Sequence, residues 1–198
     1  MGRRHQGSCV NRYDRVARYT SRKQLRDVEG SKYVLGFNEP DLTSSAIDPA
    51  EAANLWKQYM NPRTNYKKVS PAVSSGPSGI TWLTQFFDAC DGTCTVDHIA
   101  VHWLGSVSDL ASLKTFVSSF ATNYGKPVWL SEFGFTDGTN AQKATALAQA
   151  ISYLDGNCDV FRYAYSTDRG VGCAPNSLLG PAGAARSSVG AAYCSTTA

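Results

Sequence analysis

The sequence predicts an α/β fold built on a parallel sheet, and three observations carry that prediction. Short, apolar, β-favouring runs alternate with amphipathic helical stretches. They repeat at roughly 30 residues, the length of a βα unit. Two of the runs deliver a glutamate near their carboxyl ends, G-F-N-E-P-D at 36–41 and W-L-S-E-F-G at 129–134. In parallel folds those ends share one face, and ligands and chemistry sit there.

The elements follow in order. Ser21 suits the N-cap of a short helix reaching Val28. The first strand covers 32–37 and stops near Asn38, because Pro40 has no N–H for a ladder and restricts Glu39 before it. Asp48-Pro49-Ala50-Glu51 opens a helix with Asp as cap and Pro in the first turn. Ala52, Leu55, Trp56, Tyr59 and Met60 form its apolar face, and Asn61-Pro62 ends it.

A second strand spans Lys67–Val73, and helical spacing resumes near Ile80 with Leu83, Phe86 and Phe87. A third strand runs from Val96 to His102-Trp103. Ser108 is expected to cap the next helix, whose stripe is Leu110, Leu113, Phe116, Val117 and Phe120. Gly125 suits its left-handed end. The fourth strand covers 126–134, with Pro127 tolerable only at the start. An Ala-rich helix at 141–154 is stopped by Asp155-Gly156, a fifth strand covers 159–165, and a last helix begins at Pro181.

Composition narrows the function. The 198 residues, 42% hydrophobic, suffice for one domain with a real core. No apolar run approaches the roughly 18–20 residues of a membrane span. The net charge of +3 is unevenly spread. Residues 1–27 hold eight Lys/Arg against Asp14 and Asp27, so 1–20 reads as a basic segment preceding a domain at 21–198. The remainder holds more acids than bases, which argues against a nucleic-acid-binding surface there. Six cysteines, with no CxxC and no zinc spacing, suggest disulfides rather than a metal site. Cys90–Cys94 reads as a local bridge, Cys158–Cys173 as a second, and Cys9–Cys194 as a tie between the ends. An oxidising compartment sits oddly with an N-terminus that lacks a signal peptide, which suggests a missing start.

The paired glutamates define the chemistry. Glu39 and Glu132 each lie at the carboxyl end of a strand, so both reach one rim. Glycosidic bond hydrolysis needs such a pair: one carboxyl protonates the departing oxygen, and the other attacks the sugar or activates water. Phe37, His102, Trp103, Phe133, Phe135 and Tyr165 recur at the same ends, beside polar Asn38. Aromatic rings stack on the C–H faces of sugars, so these residues are candidates for a carbohydrate groove. No phosphate loop, nucleophile elbow or metal spacing competes, and no cofactor is expected.

The runs Y-V-L-G-F-N-E-P-D-L, S-P-A at 70–72, I-A-V-H-W, V-W-L-S-E-F-G and R-Y-A-Y, in that order over about residues 30–190, resemble the endo-β-1,3-glucanases of glycoside hydrolase family 128. The resemblance implies a (β/α)8 TIM barrel, retention of configuration and β-1,3-glucan as substrate. It implies Glu39 as acid/base, Glu132 as nucleophile and Asn38 on the sugar 2-hydroxyl. His102 and Trp103 would line the groove, and Tyr165 would stand where relatives often carry Trp. It also implies a secreted or cell-wall enzyme, monomeric when complete. A closed barrel needs eight strands and five are counted, so the expectation is an incomplete barrel with about the last five βα units. Such a chain would fold poorly alone, with bare edges at the Tyr33 and Phe161 strands.

Overall fold

The computed structural model describes residues 17–18, 31–166, 178 and 186–195. Six strands appear in chain order: β1 (Ala17–Arg18), β2 (Tyr33–Leu35), β3 (Lys67–Val69), β4 (Ile99–Gly105), β5 (Val128–Phe135) and β6 (Val160–Tyr165). Between and after them lie α1 (Pro49–Leu55), α2 (Pro77–Cys90), α3 (Leu110–Tyr124), α4 (Asn140–Gly156) and α5 (Ser188–Ser195). Neighbouring strands pair in parallel, β1-β2-β3 in one ladder and β4-β5-β6 in the other. Parallel bridges from Val69 to His98 and from Val73 to Val101 join the two ladders. The α/β fold with a parallel sheet is thus present. Among the described residues the strands number six, not five, because Ala17–Arg18 in the basic segment pairs with Val34–Leu35. The β2 strand carrying Tyr33 is therefore not an edge, which corrects the expectation of a bare edge there.

The local chemistry explains most boundaries. Asp48 Oδ1 accepts from the Ala50 and Glu51 amides, satisfying two orphan donors at the start of α1. The helix then widens into one π-helical turn, Trp56–Met60. Beyond it the Asn61 amide donates to the Thr93 carbonyl, while its Oδ1 accepts from the Thr95 N–H. Trp56 and Met60 are buried, whereas Tyr59 is an exposed member of the expected apolar face. Helix α2 starts three residues before Ile80, because Pro77 supplies a first-turn residue with no N–H to satisfy. Asp109, not Ser108, caps α3, its carboxylate accepting from Ser112 N. The Ser108 side chain is engaged with Ser106 instead. Gly125 closes α3 at φ 60°, as its left-handed freedom allows.

The Cys90–Cys94 disulfide is formed at the end of α2. Cys158 is an exposed free thiol in the turn after α4, and the partner expected for it lies outside the described residues. Cys173 itself, Cys9, the Ser21–Val28 helix and Pro181 lie outside the described residues. The last helix is described from Ser188.

The sheet has two unlike faces. Val34, Ile99, Val101, Trp103, Leu113, Val117, Val128, Leu130 and Phe133 belong to the large core between strands and helices. On the other face Leu35, Val69, Ala72, Ala100 and Trp129 form a smaller cluster, bordered by Tyr33 and Phe161. His98 packs on Phe161 there at 4.1 Å between ring centroids, and its Nδ1 has no partner among the described residues.

Two predictions follow from this packing. A Cβ at Gly36 would lie 2.7 Å from the Pro71 nitrogen and 2.7 Å from the Trp56 ring. Gly36→Ala must therefore push β2 off β3, and a loss of about 1–3 kcal/mol in urea unfolding is expected. Burial also pushes the His98 ring below its usual 6.5, so folding favours the neutral ring. The stability it contributes is complete above pH 6.5 and is lost as pH falls from there through the lower value of the folded ring. Unfolding midpoints measured from pH 8 to 5 should fall in the parent and fall less in His98→Phe.

Candidate active site

The site is built at the carboxyl ends of β2, β3, β4 and β5. Pairing continues past the end of β2 to the Asn38–Ala72 bridge, Pro40 stops it, and the backbone turns at Glu39 into the left-handed region, φ 45°. That conformation costs a non-glycine residue about 1–2 kcal/mol. Local hydrogen bonds hold it: Glu39 N donates to Ala72 O at 2.7 Å, and Glu39 O accepts from Leu42 N at 3.0 Å and from Ser45 Oγ at 2.5 Å. Asp41 fastens the same turn to the next loop, accepting from Ser74 N at 3.1 Å and from Ser74 Oγ at 2.5 Å.

These contacts bring the Glu39 carboxylate against β4. His102 Nδ1 lies 2.9 Å from Glu39 Oε1, and His102 Nε2 lies 3.9 Å from Glu132 Oε1. Strands β4 and β5 set the second distance, since His102 and Glu132 are register partners. Ser166, just past β6, donates its hydroxyl to Glu132 Oε2 at 3.1 Å. His102 is 4% exposed in its side chain, against 29% for Glu39 and 40% for Glu132. A buried imidazole thus sits between two solvent-reaching carboxylates. Such a pair can donate a proton from one oxygen and attack or activate water with another. Among the described residues no group of three or more His, Cys, Asp or Glu has the arrangement to hold a metal. No helix among them is long and apolar enough to cross a membrane.

Comparison with known proteins identifies the family. The family described as glycosyl hydrolase catalytic core matches residues 10–193. A curdlan-specific exo-β-1,3-glucanase of Blastomyces gilchristii, subgroup III of glycoside hydrolase family 128, solved with glucose, superposes with TM-score 0.73. It is 36% identical, over 83% of this chain and 70% of that one. The chain belongs to glycoside hydrolase family 128. A second member, an endo-β-1,3-glucanase of Sorangium cellulosum from subgroup II, gives TM-score 0.74 at 32% identity, over 85% of this chain and 71% of that one. The alkali-sensitive linkage protein 1 of Schizosaccharomyces pombe is 37% identical over 181 residues, 84% of this chain. The chain spans 33% of that curated relative's length.

Among the residues expected of a family 128 site, the structure brings Glu39, His102 and Glu132 together. Asn38 is exposed beside Glu39, with its backbone bridged to Ala72. The three aromatic candidates lie elsewhere. Trp103 and Phe135 are 2% and 0% exposed and belong to the core beneath the helices. Tyr165 is also buried, against Phe133 and Tyr193, and burial pushes its phenol up to about 12. Alternation decides this: if His102 faces the carboxylates, its neighbour Trp103 faces the helices. The inward position one step on is Leu104, 51% exposed. Sequence reasoning missed Ser166, Asp41 and Ser45. Ser166 could have been found as the first residue past a strand end, the criterion that singled out the glutamates.

The Asp41 clamp is testable without any substrate. Asp41→Ala should speed amide hydrogen exchange at Ser74, Leu42 and Ser45 by about tenfold or more, since hydrogen bonds to a charged group are worth about 1.5–3 kcal/mol. Exchange elsewhere in α2 and β4 should be unchanged.

Proposed function

We propose that this chain is a β-1,3-glucan hydrolase that retains configuration by double displacement. The observation that carries the reading is the pair of carboxylates, Glu39 and Glu132, converging from β2 and β5 on one imidazole in a family 128 chain. Protonated Glu39 gives its proton to the departing glycosidic oxygen while Glu132 bonds to the anomeric carbon. Glu39 then takes a proton from water as that water displaces Glu132. Asn38, exposed beside Glu39, is placed for the sugar 2-hydroxyl. His102 acts at the floor of the site. Trp103, Phe135 and Tyr165 shape it from behind rather than by stacking on sugar.

The glucanases named above support β-1,3-glucan as the substrate class. We read the six parallel strands as consecutive strands of a (β/α)8 TIM barrel. The barrel domain of 21–198 is joined by Ala17–Arg18 from the basic segment 1–20, which supplies the first of these strands. The Cys90–Cys94 disulfide supports action outside the cell or in the wall.

The assignment of roles has a stereochemical test. On a laminarioligosaccharide with an activated aryl leaving group, Glu132→Ala and Glu39→Ala should each lower turnover about a hundredfold or more. Azide added to Glu132→Ala fills the space of the lost carboxylate and attacks once, giving the α-glycosyl azide. With Glu39→Ala the intermediate still forms on Glu132, and azide attack on it gives the β-azide. Exchanged anomers would reverse the assignment. Binding of laminarin by the parent chain without release of reducing ends would instead mark a glucan-binding protein.

A further inference from the structure

We propose that His102 is a positioning residue that divides the two oxygens of Glu39 between separate tasks. It ties Oε1 to its Nδ1–H, leaving Oε2 as the only oxygen that carries the transferred proton. The proposal rests on Glu39 being the acid/base, and it goes beyond that assignment by naming the oxygen and the residue that selects it.

The geometry points to one tautomer. The ring is buried, and its residue is anchored by the His102 N–H to the Val73 carbonyl at 2.9 Å. Nδ1 is within hydrogen-bond distance of Glu39 Oε1 at 2.9 Å, and Nε2 at 3.9 Å is beyond it from Glu132 Oε1. A neutral imidazole carries one N–H, and an ionised carboxylate only accepts. A proton on Nε2 would leave the Nδ1 lone pair facing an Oε1 that repels it when ionised and, when protonated, turns its proton onto the ring instead of the substrate. A proton on Nδ1 satisfies Oε1 and leaves Nε2 bare, at the longer separation from Glu132. The hydrogen bond on one side thus selects the proton's place on the ring.

The consequence for the reaction is directional. A proton on Oε1 would point at His102 and be lost to the leaving group. With Oε1 occupied by Nδ1–H, the proton must sit on Oε2. In the first step the Oε2–H bond breaks and the proton passes to the glycosidic oxygen, which keeps the electron pair of its broken bond to the anomeric carbon. In the second, water's oxygen bonds to that carbon, the bond to Glu132 breaks, and the water proton returns to Oε2. Nδ1–H is unchanged throughout. Because Ser166 separately holds Glu132 Oε2, each carboxylate has one oxygen engaged by the protein.

Nitrogen-15 imidazole spectra test this directly. The protein has three histidines, so His5→Gln and His98→Gln assign the third signal. At neutral pH the parent should show a proton on Nδ1 of His102. In Glu39→Ala, with the acceptor gone, the ring should shift to the Nε2–H form that free neutral imidazole prefers. A parent ring without a proton on Nδ1 overturns the proposal, whatever the activity. Kinetics add a second arm. His102→Ala should lower turnover of laminarin about a hundredfold, yet release the first equivalent of dinitrophenolate from an aryl β-laminaribioside within about threefold of the parent rate, because that leaving group needs no proton. His102→Asn, which restores a donor near Nδ1, should recover laminarin turnover to within about tenfold. Equal losses on both substrates, with no recovery in His102→Asn, would mean a merely structural histidine and would overturn the proposal. A parent chain inactive on every glucan would sink the hydrolase reading, while the spectra would still decide the tautomer.

Discussion

Strand β4 is the constraint on which the rest of the structure depends. It joins the two ladders, and its alternation sorts five consecutive residues between two environments. Ile99, Val101 and Trp103 go to the helix-side core. Ala100 lies in the cluster on the opposite face, and His102 meets the carboxylates on that side. Burial of the first set fixes the second, because a one-residue slip would exchange them and place the imidazole in the helix-side core. The same apolar packing that holds α3 and α4 on the sheet therefore holds His102 where Glu39 and Glu132 converge.

The backbone at Glu39 shows where stability is spent on function. A left-handed glutamate is unfavourable, and glycine would relieve it at the cost of the carboxylate. The protein keeps the side chain and offsets the conformation with a closed set of hydrogen bonds. Ala72, Leu42 and Ser45 bind the Glu39 peptide groups, and Asp41 pins the turn to Ser74. Gly36 contributes from below, since its bare Cα lets β2 approach Pro71 and Trp56 closely. The carboxylate is thus aimed by backbone geometry first, and only then by its contact with His102.

Much of this was legible in the sequence because it is local. Asp48 before Pro49, Gly125 after a helical stripe and Pro40 after an apolar run each carry a short-range mechanism. The two glutamates were legible because a parallel sheet gathers its strand ends. The face on which an aromatic lands was less legible. Trp103, Phe135 and Tyr165 sit at strand ends, yet each points into the core, and position along a strand says nothing of direction. Asp109 displaced Ser108 as a cap because Ser106 competes for the serine hydroxyl, a contact three-dimensional in origin. Ala17–Arg18 carries no β signature at all, and its strand exists only through pairing with Val34–Leu35.

Direction on β5 depends on a single irregularity. Val128 and Leu130 face the helices and Trp129 faces the other side, as alternation requires. Continued unbroken, that rhythm would send Glu132 into the helix-side core and turn Phe133 and Phe135 away from it. The observed arrangement is the opposite. The register slips between Val101 and His102, so that Val101 pairs with Leu130 and His102 with Glu132, leaving Ser131 as the extra residue. Ser131 is buried, with its hydroxyl reaching towards the Val101 carbonyl at 3.5 Å. One inserted residue reverses the parity of everything after it. Glu132 is thereby turned to the carboxylate rim, and the two phenylalanines gain the core in the same step. The orientation of Glu132 and the burial of Phe133 and Phe135 are thus one structural decision, made at Ser131.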